Sequence, residues 1–337
     1  MPRPRKGAPI AVSLGDPAGI GPELICQAWS RREAEELPPF YILGGRNVLI
    51  EAAEKRGLAI PVTAVPFPEA ERAFRDGLPV VGDARGSYRP GQPDEQGATL
   101  ALTSLEWAVA ATVDGAAGAV VTMPVSKAEL AKIGYPHPGQ TEFVAAACGA
   151  AAEDAVMMLA GPSLRTVPLT VHCPLSEVPG RLSTELIVRR AAIVAKALRQ
   201  DFGIASPRVA MCGLNPHAGE NGRMGREEIE IIAPAIAALR AEGIDASGPY
   251  PADTLFAAHL RDSYDVAIAM YHDQALVPLK ALDFDRGVNV TLGLPVVRTS
   301  PDHGTAFGIA GKGAASPNAT IAAIRMAGDM AARRAAS

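Results

Sequence analysis

The sequence predicts an α/β protein with a mixed, mostly parallel sheet, folded as two lobes. Three observations point there. Short apolar runs alternate with longer helix-forming stretches. A chain of 337 residues exceeds what one ordinary domain needs. Polar, histidine-bearing motifs follow directly on the apolar runs, where ligands gather beyond the carboxyl ends of strands in open α/β sheets.

Taken in order, Ile10–Leu14, Phe40–Leu43, Ala119–Thr122, Val156–Ala160, Val167–Val171, Val209–Cys212 and Val266–Met270 read as buried strands. Each is a short apolar run of strand length. Between them, Ser183 precedes helix formers reaching Gln200, Asp253 precedes a segment through Leu260, and Ser316-Pro317 precedes the last helix. These residues supply the side-chain acceptor or the pre-set φ that a helix start favours. The stretch Pro61–Pro93 is rich in proline, glycine and charge and is expected to be irregular. The basic start, Met1–Lys6, precedes an apolar stretch that Asp16 soon interrupts, so it reads as a loose tail rather than a signal peptide.

Composition narrows the function. Hydrophobic residues make up 48% and charged residues 20%, as in an ordinary folded protein. With 5% aromatics and a net charge of -4, neither base stacking nor a general phosphate-backbone surface is expected, so no nucleic acid partner. An anionic ligand must then meet a local cluster of basic groups. Cys26, Cys148, Cys173 and Cys212 have no C-x-x-C spacing and are expected to be reduced thiols of a cytoplasmic enzyme. No run of about 18 uncharged apolar residues occurs, so no membrane span is expected.

The polar motifs stand at comparable places. Gly15-Asp16-Pro17 follows the first strand, His172 follows Val171, Asn215-Pro216-His217 follows Cys212, and His272-Asp273 follows Met270 and Tyr271. Of six histidines, His172, His217 and His272 lie 45 and 55 residues apart, too far for a local finger. Three strand-end histidines suit a catalytic metal with an open position, with Asp253 and Asp273 to complete or orient its shell. A capping His217 and a core His272 form the structural alternative.

A dinucleotide site of Rossmann type is not expected. The turn after the first strand reads Gly19-Ile20-Gly21-Pro22-Glu23-Leu24, without the G-x-G-x-x-G spacing. A different glycine-rich stretch runs from Asp302-His303-Gly304-Thr305-Ala306 to Ile309-Ala310-Gly311-Lys312-Gly313. It resembles the adenosine-binding loop of isopropylmalate and isocitrate dehydrogenases. Its glycines would let backbone approach a ligand, and His303 offers a ring and a nitrogen. A glycine-rich loop with no ligand is the plainer alternative.

Together these motifs identify a family. Gly15-Asp16-Pro17-Ala18-Gly19-Ile20-Gly21-Pro22-Glu23, Cys212-Gly213-Leu214-Asn215-Pro216-His217-Ala218-Gly219-Glu220, and the block from Met270-Tyr271-His272-Asp273-Gln274 through Lys280, Asn289 and Arg298 to Thr305 stand in order along the chain. They resemble the 4-hydroxythreonine-4-phosphate dehydrogenase family over nearly the full length. The resemblance implies two α/β/α lobes with an active-site cleft between them. The first lobe is expected over 1–145 and 285–337, with the coenzyme loop. The second is expected over 146–284, with the metal ligands and dimer contacts. It further implies a homodimer and a divalent metal (zinc, magnesium or cobalt) on His172, His217 and His272, the last donated across the dimer. Substrate contacts are implied for Gln140, Thr141, Lys280, Asn289 and Arg298, and coenzyme contacts for His303, Gly304, Thr305 and Gly311. Asp253, Asp273 and Lys280 are the candidate catalytic groups. Two positions depart from the family pattern: Gln140 stands where histidine is usual, and Met123 where asparagine is commoner.

The implied reaction oxidises 4-phosphooxy-L-threonine with NAD or NADP. The metal polarises the hydroxyl, and the β-keto acid product then decarboxylates, in pyridoxal 5'-phosphate biosynthesis. Two alternatives stay open: a paralogue acting on a phosphorylated four-carbon sugar acid, and a three-histidine hydrolase or aldolase without NAD.

Overall fold

The computed structural model describes residues 7–336; the start Met1–Lys6, expected as a loose tail, lies outside the described residues. The chain forms two compact units. The first ends at Ala155 and resumes at Leu294, and the second spans Val156–Gly293. The crossings fall at 155/156 and 293/294 rather than at 145/146 and 284/285. One reason is that residues 288–292 form a strand paired within the second unit.

Strands of the first unit are Ile10–Ser13 (β1), Phe40–Leu43 (β2), Val62–Ala64 (β3), Leu78–Val81 (β4) and Val120–Val121 (β5). Those of the second are Val156–Ala160 (β6), Arg165–Thr170 (β7), Arg208–Cys212 (β8), Asp245–Tyr250 (β9), Val266–Tyr271 (β10) and Val288–Leu292 (β11). Arg298–Pro301 (β12) belongs to the first unit again.

In the first unit the strand order is β3-β4-β2-β1-β5-β12, parallel throughout. β1 and β2 are buried along their whole length, hence their apolar sequence, broken only by Ser13 at the end of β1. Helix Glu95–Val113 covers one face, with Leu105, Ala108 and Val109 against Ala11, Tyr41 and Leu43. Asp94 starts that helix by accepting the Gly97 N–H at 2.7 Å.

In the second unit the order is β11-β6-β7-β10-β8-β9. β11/β6 and β6/β7 are antiparallel, and the other pairs are parallel. Helix His272–Asp283 lays Ala275 and Leu279 onto Leu159, Ala267 and Ala269. Helix Thr184–Phe202 starts as expected, the Ser183 hydroxyl accepting the Leu186 N–H at 3.1 Å, and stops at Gly203 (φ 71°).

Two expectations are corrected. The stretch Pro61–Pro93 is not irregular throughout, since it carries β3 and β4. Pro79 disguises β4, yet bonds toward β3 come from the Leu78 N–H and the Val80 carbonyl, and pairing with β2 starts only at Val80. The missing proline N–H therefore costs no ladder bond. Nor does Asp253 cap a helix reaching Leu260. Two separate turns, Ala252–Leu255 and Ala258–Arg261, occupy that segment, because the chain is extended at Ala257 (ψ 144°), and Asp253 lies inside the first of them.

Replacing Ser183 by Ala removes the acceptor for Leu186 and is expected to lower unfolding free energy by about 1 kcal/mol, measured by urea titration. An unchanged midpoint would show that the cap contributes nothing.

Candidate active site

β7, β10 and β8 are adjacent parallel strands, so their carboxyl ends lie side by side at intervals of about 4.8 Å. His172 comes two residues after β7, His272 directly after β10, and His217 five residues after β8. The three histidines thus share one end of the second unit's sheet, with His272 on the central strand. The rings of His172 and His272 lie 5.9 Å apart between centroids. No three His, Cys, Asp or Glu side chains among the described residues of one chain converge to hold an ion.

Side chains stitch these strand ends together. The Thr170 hydroxyl donates to the Met270 carbonyl at 2.9 Å, joining β7 to β10. Buried Gln274 accepts the Met270 N–H at 2.7 Å and donates to the Gly213 carbonyl at 2.8 Å, joining β10 to the start of the His217 loop. The Asp273 carboxylate lies 2.7 Å from Nδ1 of His272. A proton on Nδ1 satisfies that contact and leaves the Nε2 lone pair for a ligand. A cavity of about 390 Å³ opens beside the pair, lined by Thr170, His172, Cys173, Leu175, Tyr271 and His272, large enough for a small molecule.

Backbone strain marks the same place. His172 has φ 51°, and the turn after Pro216 is left-handed at His217, Ala218, Gly219, Glu220 and Asn221, with φ 52, 52, 78, 44 and 56°. A left-handed conformation costs an L-residue roughly 1–2 kcal/mol, so the surroundings must over-determine it, as happens at functional sites. Buried Glu228 does so: its Oε1 accepts the Asn215 N–H (2.7 Å) and its Oε2 the Asn215 side-chain amide (3.0 Å), which also donates to Glu227 (2.7 Å). A Cβ at Gly219 would meet Glu228 Oε2 at 2.6 Å, so only glycine lets the turn sit so close. The sequence reading missed Glu228 and Gln274. Glu228 carries no local signal, lying outside the Cys212–Glu220 motif, while Gln274 was read only as part of a motif.

The first unit gathers Gln140, Thr141 and Arg298. Arg298 leads β12 and is buried; its Nε and Nη2 donate to the Thr122 hydroxyl at 3.1 and 2.8 Å, and Nη1 to Thr141 Oγ1 at 3.4 Å. Burial lowers its pKa to about 10, with the Glu142 carboxylate pulling the other way, so it remains a cation at neutral pH. Gln140 and Thr141 open helix Gln140–Ala147, whose free N–H groups, like the guanidinium, are of a kind that can hold an anion. Gln140 Nε2 donates to the Met123 carbonyl at 3.1 Å, and its buried Oε1 has no hydrogen-bond partner among the described residues. The two departures from the family pattern are therefore neighbours.

The remaining candidates sit in the second unit. Lys280 is half-buried two turns along the His272 helix, about 12 Å down its axis. Asn289 pairs with Leu159 across β11/β6, on the face covered by that helix, and its buried Oδ1 has no hydrogen-bond partner among the described residues. Exposed Asp253 lies in the short helix packed against the His217 turn.

In the first unit, His303 Nδ1 lies 3.0 Å from the Gly304 carbonyl, and the Ile20 N–H donates to the Thr305 carbonyl at 3.0 Å, tying the glycine-rich loop to the turn after β1. Ala306 is left-handed (φ 47°). A Cβ at Gly304 would meet nothing within 4 Å, whereas Gly311 (φ 71°) has Pro90 Cγ at 2.8 Å from where its Cβ would be.

Comparison with known proteins bears on this geometry. Residues 35–327 match the family model described as pyridoxal phosphate biosynthetic protein PdxA. The chain is 60% identical over 328 residues to the 4-hydroxythreonine-4-phosphate dehydrogenase of Erythrobacter litoralis, covering 97% of this chain and 98% of that protein. It is 52% identical to that of Zymomonas mobilis, covering 97% and 96%. Among solved structures, the Klebsiella pneumoniae 4-hydroxythreonine-4-phosphate dehydrogenase superposes with a TM-score of 0.85 at 37% identity, over 98% of this chain and 99% of that one. A terephthalate 1,2-cis-dihydrodiol dehydrogenase from Burkholderia xenovorans is similar at 32% identity, with a TM-score of 0.65 over 96% and 98% of the two chains.

The two loop glycines should respond differently to substitution. Gly311→Ala forces an L-residue into a left-handed, crowded place and is expected to cost about 1–2 kcal/mol, whereas Gly304→Ala should leave the melting temperature unchanged. Equal losses in a thermal melt would contradict that difference.

Proposed function

Because the chain belongs to the pyridoxal phosphate biosynthetic protein PdxA family, we propose that it oxidises 4-phosphooxy-L-threonine to 2-amino-3-oxo-4-phosphooxybutanoate, which decarboxylates to 3-amino-2-oxopropyl phosphate. The near full-length likeness to relatives of that name carries the proposal. NAD, or NADP, is the proposed coenzyme, at His303, Gly304, Thr305 and Gly311. The open space over Gly304 and the left-handed Ala306 favour a ligand there.

A divalent ion (zinc, magnesium or cobalt) is proposed on His172, His217 and His272, supported by their shared strand-end positions and by the strained backbone of His172 and His217. When bound, the ion supplies Lewis acidity at the reacting hydroxyl and the nicotinamide accepts hydride. The protein's own groups do the rest. Asp273 holds His272 in the tautomer that exposes Nε2. Arg298, Thr141 and Gln140 bind anionic substrate groups through a buried cation and a helix start. Lys280 and Asn289 complete the proposed substrate contacts. The proton acceptor is drawn from Asp253, Asp273 and a bound water, and Lys280 supplies positive charge for the phosphate or carboxylate. A homodimer is proposed, with His272 serving the other copy's ion. The exposure of Val277 (64%), Leu282 (43%) and Phe284 (73%) on or next to the His272 helix supports self-association. A cytoplasmic location is proposed; no helix among the described residues is long and apolar enough to cross a membrane.

His172→Ala, His217→Ala and His272→Ala are each expected to lose most bound metal and most activity. Mixing the first and third of these inactive variants should restore some activity by subunit exchange. Full metal occupancy in all three would remove the ion from this place, and no recovery after confirmed exchange would argue against sharing.

The substrate is tested by nicotinamide reduction with 4-phosphooxy-L-threonine and a divalent ion. Gln140→His should improve turnover or leave it nearly unchanged; one charge-assisted hydrogen bond is worth on the order of 1.5–3 kcal/mol. A different result supports the second reading, which Gln140 in place of the usual histidine motivates: a paralogue specific for a phosphorylated four-carbon sugar acid. That reading stands if the unaltered protein prefers the sugar acid and Gln140→His abolishes activity.

A further inference from the structure

Beneath the glycine-rich loop lies a group of polar side chains with no part in the proposed chemistry. Glu23, on helix Gly21–Ser30, is fully buried. Its Oε1 accepts the Gly311 N–H at 3.4 Å, and its Oε2 faces Arg56 Nε at 3.8 Å, an ion pair too long to be a hydrogen bond. Glu23 Oε2, Arg56 Nε, Tyr88 Oη and Gln27 Nε2 are all buried with no hydrogen-bond partner among the described residues. Gln27 stands one helical turn after Glu23 on the same helix face. Four such atoms in one neighbourhood call for an explanation, since buried polar groups are nearly always satisfied.

The explanation lies above them. Gly311 and Gly313 are both left-handed, with φ 71 and 75°. A Cβ placed on Gly313 would overlap the Arg56 guanidinium. The loop therefore rests on Arg56 at one glycine and on Glu23 at the other. Burial raises the Glu23 carboxyl above its usual range, while the Gly311 N–H, Arg56 and Lys55 pull it down. A buried, loosely made ion pair is poor evidence for stability, and fixing one arrangement of the chain is its better-attested use.

We propose that Glu23 is a positioning residue for the dinucleotide: with Arg56 it forms a buried seat that fixes the Gly311–Gly313 turn, so coenzyme affinity depends on it while the chemistry on the substrate does not. The proposal rests on the reading that NAD or NADP uses this loop. Glu23 touches neither substrate nor the reacting atoms; it acts through the backbone it supports. Replacing Glu23 by Gln keeps the shape and an acceptor for Gly311 but removes the charge opposite Arg56. Replacing Arg56 by Met removes the other half of the seat while filling most of its volume.

The test compares the full-length protein with Glu23→Gln and Arg56→Met. It uses calorimetric titration with NAD and with NADP, initial-rate kinetics in both substrates, and a thermal melt. The expected result is a rise of about tenfold in both the Kd and the KM of the coenzyme in each variant, with kcat at saturating coenzyme and the KM for substrate within about twofold of the unaltered protein. If Glu23→Gln does not fold, Arg56→Met gives the same readout. Unchanged coenzyme affinity in the variants overturns the proposal and leaves the coenzyme site standing. An equal loss in kcat or substrate KM overturns it in favour of general support of the fold. Failure of the unaltered protein to bind either dinucleotide overturns the coenzyme reading itself, and the proposal with it.

Discussion

Three parallel strands, β7, β10 and β8, end side by side, and the central one is locked to both neighbours at its last residues. Gln274 holds the Met270 N–H and the Gly213 carbonyl, and the Thr170 hydroxyl holds the Met270 carbonyl. Without these bonds the polar groups at the strand ends would be buried unsatisfied, at roughly 1–3 kcal/mol each. With them, the backbone leaving each strand has a fixed origin, and His172, His272 and His217 leave from three adjacent points. The turn at His217 that follows β8 is left-handed over five residues. A turn costing this much is held only because Glu228 and Asn215 brace it from within the same unit.

The first unit is organised around a buried cation. Arg298 opens a strand with little apolar character, and hydroxyls of Thr122 and Thr141 hold its guanidinium in place. The Glu142 carboxylate offsets part of the cost of burying that charge, and the start of helix Gln140–Ala147 brings N–H donors to the same neighbourhood. Gln140 donates to the Met123 carbonyl at 3.1 Å, which fixes the amide at the start of that helix. A neutral amide in this position can donate and accept hydrogen bonds but cannot carry charge.

Much of this was legible in the sequence, and what was not has physical causes. The apolar runs marked β1, β2, β5 to β8 and β10 to within a few residues, because strands buried on both faces read as continuous hydrophobic stretches. β12, with the sequence Arg298-Thr299-Ser300-Pro301, gives no such signal although it is fully buried. β11 alternates Val and polar residues around Asn289, β9 contains Gly248-Pro249, and β4 contains Pro79, each of which hides a strand. The strand-end histidines were visible because each follows shortly on an apolar run of strand length. Glu228 was not, because its role depends on a contact with Asn215 that only folding makes. Glu23 was visible only as a letter in a motif; its burial opposite Arg56 and under Gly311 joins residues far apart in the chain.

The central claim is that the three strand-end histidines hold a catalytic ion. X-ray absorption at the zinc edge, on protein loaded with one equivalent of zinc, tests it most directly. The account predicts a first shell dominated by nitrogen at about 2.0–2.1 Å, with outer-shell scattering from about three imidazole rings, and one ring fewer in His217→Ala. A shell of oxygen alone, with no imidazole scattering and no change on substitution, would contradict it.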